Sequence, residues 1–163
     1  MIKEQTPLFI PLLSFSDHCK SLNGENLKPL RVLIREMELK FLKAEKSLDH
    51  KNDMEFSFDM LGLRGIHVRL LDAVLKLRLV PLFDWQVWID EAEKFYQSPQ
   101  QLYTLDAVTL GKIMTVLLRS QTIHGPYFLE NKIKDKFVLH LLKALVFALE
   151  NENTNNLPPD MHN

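Results

Sequence analysis

The most regular pattern of apolar and polar residues in the chain runs from residue 29 to residue 48. Apolar side chains recur there at steps of four and three residues, which places them on one face of an α-helix. Pro29 suits the first position of a helix, and Glu36 followed by Lys40 has the favourable order for an ion pair one turn apart. We therefore predict a helix over residues 29–48. Its apolar stripe consists of Leu30, Ile34, Met37, Phe41, Ala44 and Leu48.

Two further helices are predicted in the middle of the chain. The first starts at Ile66 and ends before Pro81, because a proline disfavours helical backbone in the residue that precedes it. The second starts after Asp84, whose side chain is of a type that caps helix N-termini. One face of this second helix carries the aromatic and apolar residues Trp85, Trp88, Ile89, Ala92, Phe95 and Tyr96.

Three more segments downstream are predicted to be helical. Ser98, with Pro99 after it and a glutamine three positions later, has the pattern of a capping box that opens a short helical turn. Asp106 is placed to cap the helix that follows it. Gly125 opens the last segment, whose leucine-rich stripe predicts a helix that runs to about residue 150.

The two ends of the chain are predicted to be less regular. Pro11 would break a long helix, so one short helix or turn is expected near the N-terminus, and Asn23, followed by glycine, indicates a loop over residues 16–28. Residues 151–163 are polar and are expected to form a disordered tail. No strand-like alternation persists along the chain. We therefore predict an all-α domain over residues 1–150, an irregular or orthogonal bundle of about five to seven helices.

Composition and charge narrow the class of protein further. The 163 residues are 46% hydrophobic and 25% charged, which is typical of a globular domain that buries its own core. The net charge of −1 excludes a strong overall field for nucleic acid or an anionic membrane. A single cysteine, Cys19, excludes an internal disulfide and favours a reducing compartment. The most apolar stretch, residues 137–149, is too short and too polar to span a bilayer. We expect a cytoplasmic protein that does not enter a membrane.

One part of the chain carries a distinctive motif. Residues 80–88 have the pattern hydrophobic-Phe-Asp-Trp-x-x-Trp, and a Ser-Pro pair follows at residue 98. After these come Leu105-Asp106-Ala107, then Leu117-Leu118-Arg119, then Gly125 and a leucine-rich helix. With this order of motifs, residues 66–145 resemble a bacterial domain family of unknown function, DUF6508. The resemblance implies a helical fold and a bacterial cytoplasmic protein, and it implies no activity.

The chain departs from the family pattern after Arg119. Members of the family tend to have a second arginine followed by phenylalanine at this place, whereas this chain has Gln121, Thr122, Ile123 and His124. If the family shares a polar site around that pair of arginines, this protein has lost or rebuilt it.

The motif and the residues around Arg119 supply the candidate binding residues. Asp84, Trp85 and Trp88 form either a platform for a ligand or partner, or a helix cap followed by two core aromatics. Arg119 and His124 form either an anion site or a helix-end cation beside a loop. Together these residues support the hypothesis of a small enzyme or ligand-binding protein, with its site between the Phe83–Trp88 segment and the loop after Arg119.

The apolar stripe of the predicted helix 29–48 is the leading candidate for an interaction surface. Its side chains either pack onto the rest of the domain or bind a second copy or a partner helix. The candidate residues on this stripe are Leu30, Ile34, Met37, Phe41 and Leu48. The hypothesis that follows is a non-enzymatic interaction or accessory protein.

Other chemistry has weaker support. The Gly-x-x-Gly pair of residues 62–65 resembles the loop of a nucleic-acid-binding domain, but the strands that such a loop requires are missing. A nucleic-acid-associated protein that uses Arg64, Arg69 and Arg78 is therefore the third and least favoured hypothesis. The histidines and Cys19 lack the local spacing of metal ligands, so no metal and no cofactor is expected. Cys19 also lacks an activating motif for a nucleophile.

Overall fold

The computed structural model of the protein describes residues 10–48, 63–125 and 127–155. Most residues in these ranges are helical, which confirms the all-α class. The helices are α1 (Leu12–Ser21), α2 (Lys28–Leu48), α3 (Ile66–Lys76), α4 (Ile89–Gln97), α5 (Ala107–Arg119), α6 (Gln121–His124), α7 (Phe128–Lys134) and α8 (Phe137–Asn155). These eight helices in the described ranges exceed the five to seven predicted, because α6 and α7 are too short to show a stripe of their own.

Helix α8 is the centre of the fold. It packs against α1, α2, α5 and α7, and its buried face is continuous with theirs in one apolar core. Helix α2 begins one residue before the predicted start and lies between α3 and α8. The core therefore takes a stripe from nearly every helix, as expected where no single helix pair can bury enough apolar surface.

The chain passes twice through short extended segments. The two-residue strands β1 (Ile10–Pro11) and β2 (Pro81–Leu82) pair in parallel, with Ile10 opposite Pro81. Strands of two residues are too short to show an alternation of apolar and polar residues, so the sequence does not predict them. Pro11 stands just before the short helix α1, where its missing N–H is not needed, so the helix starts after the proline and is not interrupted by it. Helix α1 therefore occupies part of the loop predicted over residues 16–28.

The helix predicted after Asp84 starts in a different form. A 3-10 turn, Trp85–Trp88, comes first, and α4 begins only at Ile89. Asp84 does precede the turn, but its side chain forms no capping hydrogen bond in the described structure, so the prediction that it acts as a cap was wrong. A second 3-10 turn, Pro99–Thr104, follows α4 with proline at its first position as predicted, yet Ser98 forms no side-chain cap there either.

The start of α5 and the break between α7 and α8 are each explained by a single residue. The Asp106 carboxylate accepts a hydrogen bond from the Thr109 N–H at 2.8 Å, which confirms the predicted cap of α5. The last predicted helical segment, which follows Gly125 and runs to about residue 150, is divided into α7 and α8 at Lys136. The φ of Lys136 is 73°, which is outside the range of a right-handed α-helix. Helix α8 continues to Asn155 and so takes in the start of the predicted tail. Residues 156–163 of that tail lie outside the described residues.

Candidate functional site

The two tryptophans of the distinctive motif lie at the surface of the core rather than within it. Trp88 packs against the apolar core from one side, and both indoles remain partly exposed. The Lys112 ammonium of α5 lies 4.9 Å from the Trp88 ring centroid and 5.7 Å from that of Phe83. The motif thus forms a small aromatic patch that already holds a cation of the chain itself.

A second aromatic cluster surrounds the loop after Arg119. His124 stacks on Phe128 with 4.8 Å between ring centroids, and Tyr96 meets Phe128 edge to face at 5.7 Å. The Lys132 ammonium lies 4.8 Å from the Tyr96 ring centroid, so this cluster also holds a cation of its own. Arg119 is exposed in the last turn of α5, and its carbonyl accepts a hydrogen bond from the Thr122 hydroxyl at 2.9 Å.

These two clusters do not combine into one site. Helix α4 runs alongside α5 in the same direction, with Trp88 beside Lys112 and Tyr96 beside Ser120. Eight residues of helix, about 12 Å, therefore separate the two clusters. Burial raises the pKa of the Tyr96 phenol, although the nearby Ser120 hydroxyl lowers it in part. The structure thus places the Phe83–Trp88 segment and the loop after Arg119 at opposite ends of the α4–α5 pair.

Cys19, His18 and His140 have structural surroundings. Cys19 is fully buried in the core, and this burial raises the pKa of its thiol to about 12, so it is not an activated nucleophile. The His18 Nε2 atom lies 2.7 Å from the Leu77 carbonyl oxygen, and the His140 Nδ1 atom lies 2.8 Å from the Tyr103 hydroxyl. Within the described ranges, no group of three or more histidine, cysteine or acidic residues is placed to hold a metal ion.

One cleft brings carboxylates together near the N-terminus of α5. The cleft has a volume of about 280 Å³ and is lined in part by Tyr103, Asp106 and Glu152. Burial raises the pKa of Glu152, and its carboxylate accepts a hydrogen bond from the Ala107 N–H. Asp106 caps α5 and the Tyr103 hydroxyl lies beside His140, so both have structural roles, whereas the Glu152 Oε2 atom is buried without a hydrogen-bond partner among the described residues.

The arginines considered for nucleic acid are dispersed around α3. Arg69 donates to both carboxylate oxygens of Glu36 on α2, one of them at 2.7 Å. Arg64 stands before α3 and Arg78 after it, so the two lie at opposite ends of the helix. No continuous basic track results along this part of the described chain.

The predicted apolar stripe of α2 faces inward. Leu30 and Met37 are completely buried, Phe41 is 6% exposed, and Ile34 packs partly buried against the same core. The side chain of Leu48 lies outside the described part of the structure. Of the two alternatives for this stripe, the structure favours packing within the domain over contact with a partner.

The opposite side of α2 carries a second stripe. Val32, Leu39 and Leu42 are exposed to 58%, 53% and 50% of their surface. Together with three basic residues, they recur at the same spacing as the buried stripe, but each lies two positions earlier in the chain. Two positions correspond to a rotation of about 200° around an α-helix, so the two stripes lie on opposite sides. We call this second stripe the outer face of α2, and it consists of Lys28, Val32, Arg35, Leu39, Leu42 and Lys46. Sequence reasoning missed it because the inner stripe is the more apolar of the two.

The outer face stands between two clefts. On the α3 side lies a cleft of about 520 Å³. It is lined by five residues without charge, Pro29, Val32, Leu33, Ala73 and Leu77, and by five charged ones, Glu25, Lys28, Arg69, Asp72 and Lys76. On the α8 side, a cleft of about 330 Å³ is lined in part by Leu39, Leu42 and Leu139. The exposed apolar residues of α2 thus form a ridge with a concave surface on each side, a shape that can receive side chains from a partner.

The acidic residues of α2 are turned to its flanks. Glu38 pairs with Lys143 of α8 at 3.4 Å, and Glu45 pairs at 2.7 Å with Lys136, the residue just before α8. Glu36 pairs with Arg69 on α3, and this hydrogen bond lowers the pKa of Glu36. In contrast, Lys28 and Arg35 form no side-chain ion pair with any described residue. The outer face therefore carries positive charge beside its apolar groups.

Comparison with known proteins places the whole region in one family. Searches among curated proteins and among solved structures find no match. A family model matches residues 22–151, which extends the resemblance inferred from residues 66–145 and takes in α2 together with the tryptophan motif. Within the described residues, no helix has the length and the apolar character that crossing a bilayer requires. The chain belongs to the family of unknown function DUF6508.

Proposed function

We propose that this protein is a non-enzymatic interaction or accessory protein that binds another protein through the outer face of α2. The observation that carries the proposal is the line of three half-exposed apolar residues, Val32, Leu39 and Leu42, on a ridge between two clefts. Each such side chain contributes roughly 1 kcal/mol when a partner removes its remaining surface from water.

The rigidity of α2 supports this function. Its inner stripe is buried in the core, and ion pairs join it to a helix on either side. A surface that is already ordered loses little conformational entropy on binding, so more of its contact energy appears as affinity. A helix laid along a groove is a common way in which such surfaces recognise partners.

The cellular setting is part of the same proposal. Membership of the family and the buried, unpaired thiol of Cys19 support a bacterial cytoplasmic protein.

The test compares two glutamate substitutions at exposed leucines. Leu39→Glu places a charge on the outer face, and Leu13→Glu places one on α1, where the leucine is 97% exposed. Both variants should retain the wild-type melting curve. We expect the wild type and Leu13→Glu, immobilised on resin, to retain the same protein from a lysate of the source cells, and Leu39→Glu to lose about nine-tenths of it. Equal retention by all three proteins, measured by quantitative mass spectrometry, would contradict the proposal.

A further inference from the structure

The charges of the outer face indicate what kind of partner it fits. Three basic residues, Lys28, Arg35 and Lys46, occupy the two ends and the middle of a stripe whose other members are apolar. We propose that the partner presents an amphipathic helix whose apolar stripe is bordered by acidic residues. This inference rests on the proposed function and adds the chemistry of the partner to it.

The spacing of the outer face supports a helical partner. Its six residues follow one another at steps of four, three, four, three and four along α2. This is the repeat by which two α-helices pack side by side with their apolar residues interlocked. In such a pair, residues that border the seam of the partner come close to the seam of α2. Carboxylates at those positions would form charge-assisted hydrogen bonds with Arg35 and with the lysines at the ends.

A second copy of this chain fits the outer face less well. If two outer faces packed antiparallel, Lys28 of one chain would oppose Lys46 of the other at both ends of the contact. If they packed parallel, each basic residue would lie beside its own counterpart. Like charges in these positions oppose association, so the charge pattern favours a different and acidic chain.

An anionic membrane also fits less well than a helix. A bilayer surface cannot enter the two clefts beside α2, whereas side chains of a helix can. The outer face has no aromatic residue, although aromatic residues are typical of helices that lie in the membrane interface.

The test uses two synthetic helical peptides of about 20 residues, a length that spans the outer face. Both carry the same leucine heptads, and the positions that border the leucines are glutamate in one and lysine in the other. Fluorescence anisotropy with the full chain should show that the glutamate peptide binds at least about tenfold more tightly than the lysine peptide, with a preference that weakens as salt rises. Arg35→Glu should remove most of this preference. Leu39→Glu should abolish binding of both peptides, and Leu13→Glu should change neither.

Four results with the peptides, with vesicles or with the chain alone would overturn the inference, and each leaves a different part of the proposed function in place. Equal binding of both peptides, lost in Leu39→Glu, would refute an acidic partner and keep the proposed interaction surface. Binding of neither peptide would also refute the acidic helix, while the lysate experiment decides the proposed function separately. Sedimentation with vesicles of mixed neutral and anionic lipid, lost in Leu39→Glu, would assign the face to a membrane. A concentration-dependent dimer that Leu39→Glu dissolves would assign it to a second copy.

The chain contains an acidic and apolar sequence of its own, which requires one further control. Asp53, Glu55 and Asp59 alternate with apolar residues that include Phe56 and Phe58, in the connection between α2 and α3. The double substitution of Phe56 and Phe58 by serine should leave the affinity for the glutamate peptide unchanged. A rise of about tenfold would show that this segment competes for the outer face, and it would assign the face to the chain itself.

Discussion

The Glu38 carboxylate of α2 lies 3.4 Å from the Lys143 ammonium of α8, in the middle of a series of three ion pairs. Seven residues before Glu38, Arg31 pairs with Glu150, and seven residues after it Glu45 pairs with Lys136. From one pair to the next, the position rises by seven residues on α2 and falls by seven on the segment formed by α8 and the residue before it. The two helices are therefore antiparallel.

These ion pairs affect the orientation of α2 against α8 more than they affect the stability of the fold. All six side chains are roughly half exposed, and an ion pair in that setting contributes at most about 1 kcal/mol. Their effect is to hold the flank of α2 against α8 while the inner stripe is buried, which leaves Val32, Leu39 and Leu42 on the side away from the core.

Removal of the Phe41 ring should be costly. Phe41 is 6% exposed within the core, and the Lys136 ammonium lies 5.5 Å from its ring centroid. We expect Phe41→Ala to lower the free energy of unfolding by roughly 3–5 kcal/mol, since a cavity is left in a packed interior. Urea denaturation followed by circular dichroism measures this loss. A loss under about 1 kcal/mol would be incompatible with the burial of the inner stripe.

The two tryptophans should differ in their contribution to stability. Trp88 packs against the core and beneath Lys112, whereas Trp85 does neither in the described contacts. We expect Trp88→Ala to destabilise the protein by about 2 kcal/mol, and Trp85→Ala by less than half as much. Thermal melts of the two variants, compared at equal concentration, would show the difference. An equal loss in both would mean that the motif acts as one structural unit.

The two aspartates that precede helical segments should also differ. Asp106 accepts a hydrogen bond from the Thr109 N–H, and Asp84 forms no such bond in the described structure. Asp106→Ala should therefore cost on the order of 1 kcal/mol, while Asp106→Asn, which keeps an acceptor, should cost much less. Asp84→Ala should be close to neutral. If Asp84→Ala proved as destabilising as Asp106→Ala, a cap or site at Asp84 would have to be sought.

Stability should fall slightly in acid through the pair formed by Glu36 and Arg69. The hydrogen bond from Arg69 lowers the pKa of Glu36 below its usual value, so the folded state favours the ionised carboxylate. Its contribution is present above the unfolded pKa of Glu36 and is lost as the pH falls through the lower, folded pKa. Both side chains are substantially solvated, so the effect is at most about 1 kcal/mol. Glu36→Gln should remove that part of the pH dependence, and a wild-type acid profile in this variant would exclude the pair as its source.

The sequence by itself determined the features that depend on neighbours along the chain. The helix over 29–48 was predicted within one residue of its start because its apolar residues recur at helical spacing over several turns. The Asp106 cap was predicted because a cap joins residues three positions apart. The order of motifs around Trp88 was sufficient to identify the family.

The tertiary structure alone decided which surfaces of these helices meet. Two stripes of equal spacing run along α2, and only the packing of α3 and α8 determines that Met37 is buried and Leu39 exposed. Likewise, the hypothesis of a ligand site between the Phe83–Trp88 segment and the loop after Arg119 required these segments to be close, but the parallel course of α4 and α5 separates them. Helical periodicity records which residues share a face, whereas the choice of the buried face depends on contacts between residues far apart in the chain.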